Sequence, residues 1–520
     1  MSTGTTKLDT ATLSTVRHNI AVPTYNRGDL LPHTVHIGVG GFHRAHQAVY
    51  LDDLLAVPDT PRWGEIGVGI LPSDDRMRDA MLGQDCLYTL VERSAEQQNA
   101  RVIGSMTQYL YAPAQPEAVL EALASPVTRI VTLTITEGGY FLDEGTGKFN
   151  ANHPALQHDL ANLDAPGSSL GILAEALDRR RLRNLPAFTL QSCDNLQGNG
   201  HITRDVLLGY AALRKPELHD WIAAHVAFPN SMVDRITPAT TSADIQWLAD
   251  RFGIADAWPV VTEPFRQWVI EDTFPNDRPE WERVGAQIVD DVAPYETMKI
   301  RLLNGSHEAI AFLGALAGYT FVHEVMQDPL FHRFIEAFME EVTPVVPVIP
   351  GTSVSDYKRT LLQRFLNPTI KDQVTRLCSE GSAKIPKWVL PSIAELLAQG
   401  RNIDLLSLLI AAWIFYLQRG VDERGQAIEV IDARAEELRG IAQHGGLDPR
   451  PFLHIKSIFG DKLPTDATFV VKVESALQTL AQHGTQATLR LALAATPLTA
   501  RQLAVSHSQP PAVPHRALLQ

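Results

Sequence analysis

Two textures divide this chain of 520 residues. In the first half, short β-branched runs alternate with stretches whose apolar residues recur every three or four positions. The runs are TVHIGVG (34–40), EIGVGIL (65–71), RIVTLTIT (129–136), AFTLQSC (187–193) and WPVVTE (258–263), and HRAHQAVYLDDLLA and SLGILAEALDRRRLR are among the helical patterns between them. This alternation predicts an α/β domain, a mostly parallel sheet covered by helices on both faces. Beyond residue 290 or so, Ala and Leu at helical spacing take over, as in HRFIEAFMEEV, PSIAELLAQG and LLSLLIAAWIFYLQR. They predict an all-α second domain, with the Pro/Val-rich TPVVPVIPGTSVSD (343–356) as a loop inside it. The expected boundaries are 1–290 for a Rossmann-like domain and 291–497 for the helical one. The remainder, 498–520, ends in the Pro-rich HSQPPAVPHRALLQ and is expected to be disordered.

The first run meets its helix through Gly38-x-Gly40. Gly38 permits a tight turn, and Gly40 lets backbone approach a pyrophosphate at the positive end of the next helix. His43 stands where the third glycine of the dinucleotide fingerprint would be. The second run ends near Asp74 and Asp75, where a carboxylate can accept hydrogen bonds from an adenosine ribose and repel a 2′-phosphate, favouring NAD. Asp74 lies further along than the usual spacing of ~20 residues after the glycines, so an insertion is assumed. His43 and His46 share the i,i+3 spacing of a zinc pair, but nothing else marks a metal site, and none is expected.

YETMKIRLLNGSHEAIAFLG (295–314) reads as a buried helix that carries polar residues. At ~100° per residue, with Lys299 at zero, Glu296 falls at about 60°, His307 at about 80° and Asn304 at about 140°. Gly305 is expected to loosen the helix. Oxidising a secondary alcohol needs a base for the hydroxyl proton, and a desolvated lysine can be one. An amide can stabilise the developing alkoxide. His307 can orient the same oxygen, and Glu296 can pass the proton to solvent. A solvated polar stripe fits the spacing equally well. Glu137, Asp194, Asn195 and Asp234 follow strand-like runs, and ligands of open parallel sheets bind beyond the carboxyl ends of strands.

Net charge is −14, which disfavours a nucleic-acid surface or an anionic-membrane anchor. The three cysteines form no CxxC and suit a reducing compartment. LLSLLIAAWIFYL is too short to span a bilayer, and the N-terminus lacks a secretory core. A soluble, cytoplasmic protein is expected.

The motifs HIGVGGFHRAHQA, TLTITEGGY, SCDNLQGNG, FPNSMVDRITP, EPFRQWVIED and KIRLLNGSH together resemble those of the polyol-specific long-chain dehydrogenases, from about His36 to about residue 490. The pattern Lys-x4-Asn-x2-His is their most specific mark. The resemblance implies a Rossmann-like N-terminal and a helical C-terminal domain with the active site between them, and metal-independent, NAD-dependent interconversion of D-mannitol and D-fructose. It implies Lys299 as general base, Asn195 and Asn304 as amides on the reacting oxygen, His307 beside them and Glu296 as a proton gate. It places Asp234, Arg376, Lys384 and Glu137 at the substrate, and Ile37, Gly38, Gly40, Gly41, Phe42 and Asp74 at the cofactor. Asp75 stands where some members carry an arginine suited to NADP. Fructuronate or tagaturonate reduction, oxidation of arabinitol or sorbitol, and a non-catalytic NAD sensor are the alternatives. The family's mannitol enzymes are often monomeric, so a monomer or weak homo-oligomer is expected.

Overall fold

β-Branched side chains suit a pleated surface covered on both faces. In the computed structural model, which describes residues 5–143 and 147–495, four of the five runs build one sheet. Strands β1 (Leu31–Ile37), β2 (Trp63–Gly69), β3 (Met106–Tyr111), β4 (Ile130–Leu133) and β5 (Thr189–Ser192) pair in the order β3-β2-β1-β4-β5, all parallel. This is the doubly wound order, and the expected α/β class is the one observed. The expected disordered tail, 498–520, lies outside the described residues.

Three assignments differ from expectation. Strand β3 comes from MTQYLY, whose Thr and Gln dilute the β-branched signal. The WPVVTE run is in a different sheet: Val260–Thr262 pairs with Tyr88–Arg93, which pairs antiparallel with Gln98–Ile103. The run that ends in Asp234 (Ser231–Asp234) pairs antiparallel with Gln267–Glu271, so it is not a strand of the parallel sheet.

The chain divides into two compact units. One is Met1–Ile300 with Val346–Ser353 and Gln363–Asp372; the other is Arg301–Val345, Val354–Leu362 and Gln373–Gln520.

In the first unit, Val35, Ile37, Ile66, Val68, Val131, Leu133 and Leu190 pack with residues of helices Pro116–Ala124, Ser169–Leu182 and Asn199–Arg214. A separate cluster joins Ala45, Ala48 and Val49 to Met106 and Tyr109. Among these apolar layers lies a polar group. The His36 ring stacks on His43 at 3.5 Å, and His43 Nε2 is 3.0 Å from Glu65 Oε1, all without exposure or nearly so. Burial pushes Glu65 up to about 7 and His43 down to about 3, so burial works against charge on both groups despite the ion-pair distance.

The second unit is helical. The apolar run becomes helix Asp404–Arg419, buried from Leu405 to Leu417. It packs on helices Gly305–Leu316 and Ala467–Ala495. Glu341 accepts the N–H groups of Leu405 and Leu406 at 3.0 and 2.9 Å, satisfying donors that a helix start leaves open. Among the described residues no helix is long and apolar enough to cross a membrane.

Gly38 is the tightest point of the β1 turn. Its φ is +94°, and a Cβ there would lie 2.2 Å from the Thr134 carbonyl oxygen. Gly40, with φ −114°, would meet nothing nearer than 3.8 Å. Gly38→Ala is therefore expected to lower stability by ~2 kcal/mol or more, and Gly40→Ala by well under ~1 kcal/mol. Denaturant unfolding of both variants checks this, and equal losses would contradict it.

Candidate functional site

The carboxyl ends of the parallel strands bring several expected residues to one edge of the first unit. After β1 comes the glycine turn, with Gly40 capping the short helix Gly41–Ala45. Gly41 and Phe42 are half-buried, Phe42 stacked on His46 at 4.9 Å, and Ile37 is fully buried in the core. His43 and His46 point inward, not toward a phosphate or a shared metal. His46 Nε2 meets the Gln267 carbonyl at 2.9 Å, and burial holds its ring near 3. Among the described residues no group of His, Cys, Asp or Glu is placed to hold a metal ion.

After β2, Asp74 closes a short 3-10 turn, its carboxylate accepting the Leu71 N–H at 2.9 Å. Gly69 makes room for it: a Cβ there would lie 2.8 Å from the Asp74 Cβ and 2.2 Å from the Tyr109 hydroxyl. A bare glycine turn and a strand-end carboxylate with a cleared approach fit a dinucleotide. Asp75 is exposed and accepts the next backbone N–H, from Arg76.

After β4, the exposed Glu137 begins a 3-10 turn, preceded by Thr136 at φ +59°. Asp194, after β5, accepts the N–H groups of Ile135 and Thr136 at 3.0 and 2.9 Å and the Tyr140 hydroxyl at 2.6 Å. Asp194 therefore fastens the β4 and β5 ends together and holds the strained Thr136.

Beside that edge stands Lys299, at the end of helix Ala293–Lys299 and 7% exposed. Its Nζ donates to Asn195 Oδ1 at 2.6 Å and to the Val233 carbonyl at 2.7 Å. A neutral amine has two N–H groups and one lone pair, and two acceptors use the hydrogens and leave the pair. Burial lowers its proton affinity. Asp234 opposes that shift, and the Arg364 guanidinium reinforces it. Glu296, one turn earlier on the same helix, accepts the Gly198 N–H at 3.1 Å, and burial pushes it up to about 7 against the pull of Lys299.

Asp234 does not stand open. Arg364 Nη1 and Nη2 reach its two oxygens at 2.7 and 2.9 Å, and the same guanidinium donates to Glu263 at 2.8 Å, all three side chains being buried. Sequence reasoning missed Arg364 and Glu263. Arg364 sits in a polar helical pattern that reads as solvated, and Glu263 ends a strand run like many turn acids.

Ile300–Asn304 is a π-helical turn. The even ~100° step that phased Lys299 against Asn304 and His307 does not hold across it, and the loosening precedes Gly305 rather than starting there. In the second unit, Asn304 and His307 are 6% and 8% exposed. Arg376 is exposed on helix Val374–Cys378. Lys384, on helix Gly381–Trp388, donates to the Leu377 carbonyl at 3.1 Å.

Sheet order, glycine turn and strand-end carboxylate define the Rossmann class of dinucleotide-binding folds. Residues 32–283 match the model of the mannitol dehydrogenase Rossmann domain, and residues 291–481 that of the mannitol dehydrogenase C-terminal domain. A mannitol 2-dehydrogenase of Aspergillus fumigatus is 50% identical over 477 residues, 90% of this chain and 95% of that one. One of Pyricularia oryzae is 47% identical, covering 91% and 95%. Among solved structures, the Pseudomonas fluorescens mannitol 2-dehydrogenase ternary complex with NAD and D-mannitol matches at a TM-score of 0.85 and 47% identity, covering 94% of this chain and 100% of that one. A substrate-free D-sorbitol dehydrogenase matches at 0.85 and 35%, covering 93% and 100%. The chain belongs to the mannitol dehydrogenase family, in agreement with the resemblance of its motifs.

Removing Arg364 strands two buried carboxylates. Arg364→Leu is expected to cost ~3–5 kcal/mol of stability. Urea unfolding measures it, and a loss below ~1 kcal/mol would mean that Asp234 and Glu263 do not depend on this cation.

Proposed function

We propose that this chain is an NAD-dependent polyol dehydrogenase that interconverts D-mannitol and D-fructose. The observation that carries the reading is the Lys299 amine, buried and donating both to Asn195 and to the Val233 carbonyl. The Aspergillus relative's name and the NAD and D-mannitol in the Pseudomonas complex support it.

A bound nicotinamide supplies the acceptor for the hydride leaving C2. Gly38, Gly40 and Gly41 would hold the cofactor phosphates through backbone, with Phe42 and the backbone of Ile37 beside them, and Asp74 would receive the adenosine ribose. Lys299 takes the C2 hydroxyl proton on its lone pair. The Asn195 amide, whose oxygen already holds Lys299, turns its N–H groups toward the developing alkoxide. Glu296 is a buried acid whose proton affinity has risen while that of Lys299 has fallen, so it relays the proton outward. For Asn304, His307, Arg376, Lys384 and Glu137 the roles rest on the family resemblance: amide and imidazole on the reacting oxygen, the others on substrate hydroxyls. Asp234 acts through Arg364 and Lys299. We place the enzyme in the cytoplasm as a monomer or weak homo-oligomer. The cofactor domain is residues 1–290 and the substrate domain 291–497.

The D-sorbitol dehydrogenase neighbour favours sorbitol as the second reading. Rates of NADH oxidation with fructose, sorbose and fructuronate, and of NAD reduction with mannitol, arabinitol and sorbitol, decide between them. Turnover of fructuronate or sorbitol far above fructose and mannitol would overturn the mannitol reading.

Lys299→Met is expected to cut kcat by about a hundredfold to ten-thousandfold while NADH affinity changes less than about twofold. Fluorescence titration with NADH checks the second half, and a large loss of affinity would remove the lysine from the role of base. Asp74→Ala is expected to narrow the NAD-to-NADP ratio of kcat/KM by about tenfold, and an unchanged ratio would take Asp74 out of cofactor choice.

A further inference from the structure

Glu308 follows His307 on helix Gly305–Leu316 and has no solvent exposure. Among the described residues, neither of its carboxyl oxygens has a hydrogen-bond partner. A buried acid in that state is costly, and such groups are retained where a charge partner or a function requires them. The partner is Lys384, whose Nζ lies 3.9 Å from Glu308 Oε1. The ammonium is otherwise placed by the Leu377 carbonyl at 3.1 Å and by the Trp388 ring, whose centroid is 5.5 Å away. Burial pushes the Glu308 carboxyl up to about 8 while Lys384 pulls it down.

We propose that Glu308 is a specificity-determining positioning residue: it balances the charge of Lys384, so that Lys384 offers its N–H groups to neutral hydroxyls and does not serve as counter-ion to a substrate carboxylate. The inference rests on the reading that Lys384 touches substrate, and it refines the substrate class. Where Glu308 is ionised, a ketose with a carboxylate in place of its terminal hydroxymethyl would bring a second anion to a cation already shared with a buried one. In a site of low polarity, one of the two acids must then take up a proton or lose its partner. A polyol or neutral ketose brings acceptor oxygens without charge and leaves the pair intact.

The test is steady-state reduction of fructose and of fructuronate by NADH at pH 9, above the value to which burial carries Glu308. Full-length wild type is compared with Glu308→Gln, with Glu308→Met as a second uncharged side chain of similar length and Glu308→Asp as the conservative variant. Both uncharged variants are expected to raise the fructuronate-to-fructose ratio of kcat/KM by about tenfold or more, chiefly through a lower KM for fructuronate. Glu308→Asp is expected to stay near the wild-type ratio. A merely structural role would lower both substrates together and leave the ratio where it was, and that result overturns the inference. A wild type that reduces neither ketose defeats the polyol reading itself, a different outcome from an active enzyme whose ratio ignores Glu308.

Discussion

A lysine amine held out of water is the constraint around which the first unit is arranged. Burying an ammonium in a low-polarity interior is costly, and the usual response is loss of the proton. Here the amine is given two acceptors, the Asn195 amide oxygen and the Val233 carbonyl, and among the described residues no carboxylate accepts a hydrogen bond from it. The neighbouring acid that would hold the proton on it, Asp234, has both oxygens engaged by Arg364. Asp234 favours the charged lysine and Arg364 opposes it. The clamp therefore restrains a counter-charge that would otherwise fix Lys299 as a cation. A lysine salt-bridged to a free Asp234 would keep its proton.

The sheet brings the partners of that amine to hand. Order β3-β2-β1-β4-β5 sets Asp74, the glycine turn, the Thr136–Glu137 corner and Asn195 side by side at the carboxyl ends. Two devices keep this edge in shape. Gly38 passes so close to the Thr134 carbonyl that no side chain fits. Asp194 holds the N–H groups of Ile135 and Thr136, pinning the residue with positive φ and the β4 end against β5. A loop positioned by a carboxylate from the next strand can carry functional groups without wandering.

How much of this is legible in the sequence depends on whether the signal is local. The parallel sheet shows in its β-branched runs because strands buried on both faces must be apolar throughout. Strand β3 is hidden because MTQYLY mixes its polarity, and WPVVTE falls in a different sheet because periodicity says nothing about which strands pair. Lys299, Asn304, His307 and Glu296 stand out as polar residues in an apolar helix. Their even phasing fails because a π turn at Ile300–Asn304 leaves no mark in composition. The His43–His36–Glu65 contact and the Arg364 clamp are beyond reach for a different reason. Each joins residues of separate elements, and the local pattern around any one of them does not name its partners.

The pairing of Glu296 with Lys299 shows why one turn of helix separates them. Residues at i and i+3 are neighbours on a helix face. Burial acts on both in opposite senses, raising the acid to about 7 and lowering the amine. Unperturbed, the two groups differ by ~6 pKa units, and a proton on the lysine would never pass to the acid. Burial therefore moves the two proton affinities toward each other, the direction that eases transfer between them. The Gly198 N–H on Glu296 limits the rise, since a hydrogen bond to the carboxylate favours its charged form. The proposed reversible oxidation would draw on that convergence, because the proton released in one direction must be returned in the other.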